Sequence, residues 1–412
     1  MKKTILIVCH ECDLIHRVDA VPEGSAARCS RCGGLLYQHK RDSLERTLAL
    51  TVTGLILFVV ANAFPFLGFK LQTQVHETLL ITGVQELYHQ GMWILATVVL
   101  LTTIVMPAAQ MIGLLYVLVP LRLNRLPWKL KTVFRLIQHL QPWAMMEVFM
   151  LGILVSIVKL GKMATIVPGI AAFAFMALIL ILAASMAVLD PHAVWERIKI
   201  QESTRGITVA RADLVGCHTC HLLCCLPSQG GHDLTCPRCG MPLHRRKPNS
   251  IARTWALILA AAIFYVPANV LPITIVTSLG KAQADTIISG VIYFLMSGSW
   301  PIALVIFVAS VFVPLLKLLA LGYLSFSVQR KSVWRPVDRT KIYRMAEVVG
   351  RWSMVDVYVV TILVAMVNLG ALATIEAGPA AVYFCGVVII TMLAAMSFDP
   401  RLIWDNCEEN HE

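Results

Sequence analysis

Long runs of apolar residues without any charged side chain divide this 412-residue chain. Examples cover residues 47–69, 163–189 and 254–280. Each is longer than the roughly 20 predominantly apolar residues that a bilayer-spanning helix needs. With interfacial charges and Pro or Gly breaks taken as boundaries, the pattern predicts eight membrane spans, at roughly 48–68, 93–119, 143–160, 166–189, 253–273, 299–325, 352–369 and 378–398.

Composition and charge agree with a membrane protein and orient it. The chain is 58% hydrophobic and only 14% charged, far from the balance of a soluble domain. The links between spans alternate, and Lys and Arg are concentrated in 38–46, 121–135, 192–253 and 329–351. The other links carry only Lys70, Lys162 and Lys281. Because positive links face the cytoplasm, both termini and the central segment are predicted to be cytoplasmic. The net charge of +11 reflects this asymmetry, and no nucleic-acid partner is expected.

The second half of the chain repeats the first at an offset of 207 and later 209 residues. The matching pairs are Asn62-x-x-Pro65 with Asn269-x-x-Pro272, Gly83 with Gly290, Pro107 with Pro314, Trp143-x-Met145-x-Glu147 with Trp352-x-Met354-x-Asp356, and Asp190-Pro191 with Asp399-Pro400. Four spans per unit is an even number, so both units insert with the same orientation. Parallel repeats of this kind are related by an axis along the membrane normal and are typical of transporters.

Cysteine pairs precede each set of spans. The pairs are Cys9-x-x-Cys12 with Cys29-x-x-Cys32, and Cys217-x-x-Cys220 with Cys236-x-x-Cys239. Two Cys-x-x-Cys turns can place four thiolates around one metal ion, and the spacing is that of a zinc ribbon. Four-thiolate sites without an open position are usually structural. We therefore expect two structural Zn²⁺ sites, with rubredoxin-like iron or thiol redox chemistry as alternatives.

The predicted fold class is an all-α integral membrane protein with two parallel tandem repeats of four spans. A small cytoplasmic, rubredoxin-like zinc ribbon with four cysteine ligands precedes each repeat. The predicted domains are a zinc ribbon at 1–42, a four-helix unit at 43–200, a second ribbon at 201–248 and a second four-helix unit at 249–412.

Polar side chains inside the predicted spans form a candidate site, because a charge within a bilayer is costly. Ser310 and Lys317 are seven residues apart and share one face of the sixth span. Ser353 and Asp356 lie near the start of the seventh span, and Thr391 lies on the eighth. We expect Lys317 to neutralise Asp356 in a network that relays or senses a proton. The alternative is that Asp356 reaches water at the interface and Lys317 snorkels.

The first repeat differs at the matching positions. Glu147 corresponds to Asp356, but Gln110 stands where the second repeat has Lys317. Only the second repeat therefore retains the charged pair. Pro107 and its counterpart in the sixth span should bend their helices. The non-cytoplasmic link of the second repeat predicts a short amphipathic helix at 286–296.

Four motifs in the sequence resemble the paraquat-inducible protein A (PqiA/LetA) family. They are Cys-x-x-Cys-Gly at 29–33 and 236–240, Pro-Ala-Asn-x-Leu-Pro at 267–272, Gly-Arg-Trp-Ser-Met-x-Asp at 350–356 and Phe-Asp-Pro-Arg-x-x-Trp-Asp at 398–405. The resemblance covers essentially the whole chain. It implies a bacterial inner-membrane protein that works beside a periplasmic MCE-domain tunnel protein and moves phospholipid or a related lipophile.

By the matching motifs, the resemblance carries functional roles to the eight ribbon cysteines and to Ser310, Lys317, Ser353, Asp356 and Thr391. No Gly-rich loop ending in Lys-Ser or Lys-Thr occurs in the sequence, so direct use of ATP is not supported. The leading hypothesis is a non-enzymatic lipid transporter subunit driven by a proton gradient. The alternatives are a membrane anchor for the tunnel protein and a membrane thiol oxidoreductase.

Overall fold

The computed structural model describes residues 5–18, 21–71, 74–160, 165–198, 214–225, 234–278, 281–298, 300–366 and 373–408. The predicted domain boundary at residues 200 and 201 lies outside the described residues, as does Lys162.

The elements of the first half follow in chain order as β1 (Ile5–Val8), β2 (Ile15–Val18), β3 (Ala26–Arg28), β4 (Leu35–Gln38), α1 (Ser43–Ala63), β5 (Leu67–Leu71), β6 (Gln74–Thr78), α2 (Thr82–His89), α3 (Trp93–Leu100), α4 (Met106–Arg122), α5 (Leu130–Leu140), α6 (Met146–Leu160), β7 (Thr165–Pro168), α7 (Ile170–Val188) and α8 (Pro191–Glu196). Those of the second half are β8 (Leu214–Gly216), β9 (Leu223–Cys225), α9 (Ser250–Val270), β10 (Thr274–Ser278), β11 (Lys281–Asp285), α10 (Ile287–Met296), α11 (Trp300–Phe307), α12 (Val313–Gln329), α13 (Pro336–Val349), α14 (Val355–Met366), β12 (Ala373–Ala377), α15 (Pro379–Ser397) and α16 (Leu402–Glu408).

Eight helical stretches in the described part of the chain are long and apolar enough to cross a membrane, so the predicted fold class is confirmed. They are Ser43–Ala63, Trp93–Arg122, Leu130–Ile157, Ile170–Val188, Ser250–Val270, Ala303–Gln329, Pro336–Ala365 and Pro379–Ser397. The third and seventh begin well before the predicted residues 143 and 352. The reason is that α5 and α13 continue into α6 and α14 through short 3₁₀ turns, Gln141–Trp143 and Gly350–Met354.

The first and fourth spans of each repeat are joined by the same serine contacts at the end of the bundle nearest the cysteine ribbons, here called the ribbon end. Ser43 Oγ donates to Val188 O at 2.9 Å and accepts from Asp190 N at 2.7 Å. Ser250 makes the equivalent two contacts with Ser397 O and Asp399 N, both at 2.9 Å. The serine thus satisfies free backbone groups where the fourth span ends. The aspartate of Asp-Pro recurs there because its side chain accepts from the backbone N–H two residues later, His192 N in the first repeat and Arg401 N in the second.

Two three-stranded antiparallel sheets, which the sequence analysis did not predict, cover the opposite end of the bundle, here called the sheet end. The strand orders are β6-β5-β7 and β11-β10-β12. In each sheet the hairpin after the first span pairs with a single strand before the fourth span. Strands of four or five residues that pair across about a hundred residues leave little periodic signal in the sequence.

A glycine allows each sheet to meet the fourth span closely. A Cβ atom on Gly169 would lie 2.1 Å from Pro65 O, and one on Gly378 would lie 2.1 Å from Pro272 O. The two glycine N–H groups donate to Phe66 O and Ile273 O. No side chain fits in this space, so glycine is required at both positions.

A π-helical turn precedes the proline in the second span of each repeat. The turns are Leu101–Val105 before Pro107 and Val308–Phe312 before Pro314. A proline cannot donate a backbone hydrogen bond and its ring presses on the preceding turn, and the wider π turn relieves both problems. Each helix is thus interrupted by a π turn, and the bend expected at the two prolines stays a prediction.

The two repeats pack through α6 and α14 at the centre of the bundle. A Cβ atom on Gly152 of α6 would lie 2.9 Å from Tyr358 Cβ of α14. The α2 helix of the first repeat also packs on α14, and a Cβ atom on Gly83 would lie 2.9 Å from Thr361 Cγ2. The second-repeat helix α14 is thus enclosed on two sides by the first repeat.

The short helix predicted at 286–296 is confirmed as α10. Its N-terminus is closed by a capping box between Thr286 and Ser289. Its core-facing residues Ile287, Val291 and Phe294 are buried. Its other face is also apolar and exposed, so α10 is not amphipathic as the sequence analysis expected.

Replacing Gly378 by alanine should destabilise the protein, because the new Cβ would overlap Pro272 O and force the β12 sheet away from α15. Overpacking of this kind costs about 1–3 kcal/mol or more. Thermal unfolding of the purified protein in detergent measures the effect. Gly322→Ala in α12 is the control, since a Cβ there meets nothing within 4 Å. Equal melting temperatures for both variants would contradict the close approach.

Candidate functional site

The first ribbon brings its four cysteine sulfurs together between two short hairpins. All four lie within 4.8 Å of one another and are buried, and Cys9 Sγ lies 3.4 Å from Cys32 Sγ. A tetrahedral zinc site with Zn–S bonds of about 2.3 Å has sulfurs about 3.8 Å apart. The donor set and its spacing therefore fit a four-thiolate metal ion.

The second ribbon repeats this cluster with Cys217, Cys220, Cys236 and Cys239, again within 4.8 Å and buried. The four cysteine pairs form the same tight turn, in which the residue after the second cysteine adopts positive φ. These residues are Asp13 (61°), Gly33 (71°), His221 (57°) and Gly240 (76°). The N–H of each donates to the carbonyl of the first cysteine of its pair. The turn leaves both sulfurs on one side, as metal binding requires.

Hydrogen bonds among the sulfurs favour the thiolate form of one cysteine in each cluster and lower its pKa. Hydrogen bonds from Cys12 and Cys32 lower the pKa of Cys9 to about 4. Hydrogen bonds from Cys217 and Cys220 lower the pKa of Cys236. In addition, His16 Nε2 lies 3.2 Å from Cys29 Sγ, where an imidazole N–H can support a thiolate without replacing it as a ligand. Both clusters can hold a metal ion.

The ribbons dock crosswise on the membrane units. The first ribbon packs Ile7 and Leu36 into a buried cluster with Leu324 of α12, Tyr343 of α13 and Trp404 of α16. These helices all belong to the second repeat. The ribbon that comes first in the sequence therefore covers the second membrane unit.

The second ribbon covers the first membrane unit in the same way. Its Leu243 and its cysteines share a buried cluster with Leu130 and Phe134 of α5 and with Trp195 of α8. The two ribbons also touch each other, since a Cβ on Gly216 would lie 3.1 Å from Val8 Cβ. Together they form a bridge across the ribbon end of both repeats.

Ion pairs hold the first ribbon on the second repeat. Arg344 of α13 donates from Nε to Glu11 Oε1 at 2.6 Å and from Nη2 to Cys32 O at 3.0 Å. Arg246 of the second ribbon binds both Asp13 of the first ribbon and Asp405 of the second repeat, and so strengthens the same contact. Each of these contacts joins residues more than 150 positions apart, so no sequence motif reveals them.

Histidines fill the contact between the two ribbons. The rings of His10 and His221 have centroids 4.1 Å apart, and Arg401 Nη2 lies 2.8 Å from His218 Nε2. Burial lowers the pKa of His10 to about 3 and of His218 to about 4, and nearby Arg401 adds to both shifts. Burial acts to raise the pKa of Asp399, but its contacts with Arg401 outweigh this and lower the value to about 2. The contact therefore contains neutral histidines beside a charged Asp–Arg pair.

Lys317 is the centre of a polar group inside the membrane unit. Its side chain is 2% exposed, and Nζ donates to Thr391 Oγ1 at 2.8 Å and to Gly350 O at 3.3 Å. Ser353 Oγ donates to the same carbonyl of Gly350 at 2.9 Å. Lys317, Ser353 and Thr391 are thus brought together around the 3₁₀ turn Gly350–Met354.

A cleft of about 910 Å³ adjoins this polar group on the side of the ribbon end. Lys317 and Gly350 form part of its wall, with Glu347 of α13, Met396 of α15 and Gln141 of the first repeat. We call it the Lys317 cleft. It gives the buried cation a route toward the ribbon end.

Asp356 is 8% exposed and lies on a different cleft of about 520 Å³, nearer the sheet end. We call this cleft the α10 groove, and its lining residues are Val155, Ile273, Thr274, Asp285, Thr286, Ile287, Gly290, Phe294, Ile306, Asp356, Val359, Val360 and Leu363. The described contacts of Lys317 go to Thr391 and Gly350, and they include no ion pair with Asp356 such as the sequence analysis expected. Asp356 lies in the first turn of α14, directly after the Gly350–Met354 turn.

Ser310 is fully buried in the π turn of the sixth span, where Oγ donates to Ile306 O at 2.6 Å. It is not hydrogen-bonded to Lys317. Its counterpart Thr103 is 1% exposed in the π turn of the second span. The hydroxyl groups of Ser310 and Thr103 in these turns donate to backbone carbonyls. Such π turns are frequent at functional sites.

The first-repeat counterparts differ as the sequence suggested. Gln110 is buried and its Nε2 lies 3.0 Å from Met186 Sδ, whereas Glu147 is exposed. Both line a smaller cleft of about 670 Å³ that matches the Lys317 cleft in position. The first repeat thus has the space, but no buried cation on its wall.

Sequence reasoning missed two buried hydroxyl groups. Tyr358 is fully buried, and its OH donates to Thr102 Oγ1 of the first repeat at 2.9 Å. Thr274 is 2% exposed on the α10 groove. The first repeat has Phe149 where the second has Tyr358, and Leu67 where the second has Thr274. A comparison of the two repeats could therefore have found both residues, because each replaces an apolar side chain by one with a hydroxyl group.

Comparison with known proteins places these features in context. A model of the family described as Paraquat-inducible protein A matches residues 44–199 and 251–408. The chain is 34% identical over 415 residues to the intermembrane transport protein PqiA of Escherichia coli K12, with 98% of this chain and 97% of that protein covered.

Two further relatives are similar over nearly their full length. The lipophilic envelope-spanning tunnel protein A of Escherichia coli K12 is 31% identical, with 98% of this chain and 92% of that protein covered. A probable intermembrane transport protein of Haemophilus influenzae is 30% identical, with 97% and 95% covered. No solved structure matches the chain.

Reversing the charge of Glu11 should loosen the first ribbon, because Glu11→Arg places like charges beside Arg344. We expect hydrogen exchange of residues 5–18 to rise about five-fold, the effect of roughly 1 kcal/mol for a partly exposed pair. The double variant Glu11→Arg/Arg344→Glu should restore much of the protection. Hydrogen exchange with mass spectrometry of the full chain measures both.

The control is the exposed pair Asp338 and Lys341 on the same helix, with Nζ and Oδ1 3.3 Å apart. Reversing Asp338 should leave exchange of residues 5–18 unchanged. Equal effects from both reversals would contradict crosswise docking through Arg344.

Proposed function

Because the chain belongs to the paraquat-inducible protein A family, we propose that it is the membrane subunit of an intermembrane lipid transport system. It loads or unloads phospholipid or a related lipophile at a periplasmic tunnel partner of the MCE type. It resides in the bacterial inner membrane with both termini in the cytoplasm.

Support for a transport role comes first from the relatives. Their names describe intermembrane transport and a lipophilic envelope-spanning tunnel, and none of these names describes an enzyme. The alignments cover both repeats and both ribbons, because they extend over nearly the whole chain. A role shared by the relatives would therefore use the same architecture.

The observation that carries the proposal is the division of the second repeat into two clefts by the turn Gly350–Met354. Lys317 lines the cleft toward the ribbon end and Asp356 lines the groove toward the sheet end. A buried ionisable group inside a span is expensive and is a functional candidate by default. Lys317 and Asp356 are two such groups, and they lie on opposite sides of the 3₁₀ turn Gly350–Met354.

This arrangement suits proton-coupled transport. A proton that arrives from the sheet end meets Asp356 first, and the hydroxyls of Ser353 and Thr391 lie between it and the ribbon-end cleft. Gly350 O binds both Lys317 and Ser353, so a change of charge at Lys317 alters the contacts that hold the turn. Motion of the turn changes which cleft is open, and lipid binding follows that change.

The two ribbons have a structural role in this mechanism. We propose that each four-cysteine cluster holds Zn²⁺ as a structural ion, whose binding supplies folding energy to a domain too small for a core of its own. Through Glu11 and Arg344 the first ribbon anchors α13, the helix that leads into the Gly350 turn. The bridge of the two ribbons holds both repeats at the ribbon end.

Removing either buried charge should stop transfer of lipid. In proteoliposomes with the tunnel partner, Asp356→Asn and Lys317→Ala should each reduce transfer of a fluorescent phospholipid at least about ten-fold, because the proton path then lacks a titratable group. Asp338→Asn is the control, since Asp338 of α13 is exposed and lines neither cleft. Unchanged transfer by both variants would contradict proton coupling and leave a role as a membrane anchor for the partner.

Elemental analysis should find about two zinc ions per chain. Cys12→Ser should remove about one of them and lower the melting temperature, because metal binding is folding energy in such a domain. Cys407→Ser, a half-buried cysteine outside both clusters, should keep both ions. Iron in place of zinc, or thiols that cycle between oxidised and reduced forms, would contradict the structural zinc assignment.

A further inference from the structure

A short hairpin encloses the first cysteine pair of each ribbon, and the two hairpins have the same register. Ile7 lies opposite His16 in the first ribbon, and Val215 lies opposite Cys224 in the second. His16 and Cys224 each stand four residues after the second cysteine of the pair. Cys224 therefore occupies in the second ribbon the place that His16 has in the first.

This place lies against the second cysteine pair of the ribbon. In the first ribbon, His16 Nε2 is 3.2 Å from Cys29 Sγ. In the second ribbon, the thiol of Cys224 is hydrogen-bonded to Cys236, which matches Cys29. Each ribbon thus has a fifth side chain able to bind a metal ion beside the same one of its four cysteines. That side chain is an imidazole in one ribbon and a thiol in the other.

Cys224 is buried together with the four cysteines of its ribbon. It is 8% exposed and belongs to the same buried cluster as all four of them. Its other described contact is a long one, 3.7 Å from Sγ to Leu222 O, and a thiol is a weak hydrogen-bond donor. A free cysteine can serve as a small apolar residue. A thiol that touches a ligand sulfur is also a possible ligand of the same ion, because its thiolate form binds metals.

Exchange of Cys236 for Cys224 would preserve a site of four thiolates. The proton leaves Cys224 and stays with Cys236, so the charge of the cluster is unchanged and no electron is gained or lost. Zinc has no geometric preference from d electrons, which allows one thiolate to take the place of another. In the first ribbon, the same exchange would replace a charged thiolate by the neutral imidazole of His16. Only the second ribbon can therefore change a ligand without changing its chemistry.

We propose that the second ribbon is a five-thiol metal site, in which Cys224 is a reserve ligand that binds the ion when Cys236 does not. The ion is a thiophilic divalent cation such as Zn²⁺. Because metal binding supplies folding energy to such a domain, the reserve ligand keeps the ribbon folded against Leu130 and Phe134 of α5. This inference rests on the proposed structural zinc ions and is independent of lipid transfer.

The test measures zinc in the full chain after purification in detergent and dialysis against a weak chelator. Cys236→Ser should keep about two zinc ions per chain, because Cys224 completes the second site. The double variant Cys236→Ser/Cys224→Ser should keep about one. Cys29→Ser/His16→Ala is the matched control. It removes the corresponding ligand and the fifth side chain of the first ribbon, and should also keep about one ion.

Cobalt distinguishes a fourth thiolate from a water molecule in the place of Cys236. In protein produced with Co²⁺ in place of zinc, absorption by charge transfer from thiolate to cobalt reports the number of bound thiolates. Cys236→Ser should keep the intensity of the unmodified chain. Three thiolates and a water would lower it by about one-eighth, since each of two ions has four cysteine ligands. Cys224→Ser alone should leave both the zinc content and this intensity unchanged.

The outcomes separate the reserve ligand from the proposed function. Loss of one zinc ion in Cys236→Ser, down to the level of the double variant, would overturn the reserve ligand and leave the structural zinc ions in place. Retained metal with the lower cobalt intensity would overturn it as well. An unmodified chain that binds no divalent metal would contradict the zinc ions and the reserve ligand together. Full zinc content and full cobalt intensity in Cys236→Ser, with loss of one ion in the double variant, support the proposal whether or not the chain transfers lipid.

Discussion

Polar groups cannot remain without partners inside a bilayer, and the architecture of this protein follows from that constraint. The interruption of the second span of each repeat is compensated locally. The π turns before the two prolines return backbone groups to a hydrogen bond, and Lys317 reaches Thr391 and the carbonyl of Gly350. Hydroxyl groups and peptide carbonyls, not counter-ions, surround the buried ammonium in the described contacts. A site of this kind changes readily when its charge changes, because no carboxylate holds the cation in place.

Duplication supplied two copies of each feature, and some of these features are the same in both copies whereas others have diverged. The serine contacts between first and fourth spans, the glycines beneath the sheets and the cysteine turns are the same in both repeats. Lys317 against Gln110 distinguishes them, as does the contact of Gly83 with Thr361 of α14, which Gly290 lacks. Several positions that close the fold are thus shared, whereas the residue on the wall of the Lys317 cleft differs from its counterpart in the first repeat. The first repeat supports α14 on two sides, and the second repeat presents the ionisable groups.

Crosswise docking of the ribbons gives the two repeats a common base. Had each ribbon covered the unit that follows it in sequence, the repeats would be joined at the ribbon end by little more than the central linker. Instead, each ribbon sits on the other unit and both ribbons touch. Relative motion of the repeats would therefore deform ribbon contacts, among them the ion pair of Glu11 with Arg344 on α13, the helix that leads into the Gly350 turn.

The sequence by itself determined the eight spans, the parallel repeat and the two cysteine clusters, because each depends on local composition or fixed spacing. It also identified Lys317 and Asp356 as unusual, since a charge in an apolar run is visible without a structure. Only the tertiary structure decided their partners: Lys317 meets Thr391, 74 residues away, and Asp356 lines a groove built from five separate segments. The sheets and the crossed ribbons were likewise decided by contacts between distant residues. Such contacts depend on how helices and strands pack in space, and apolar residues alone do not specify which helix fills which groove.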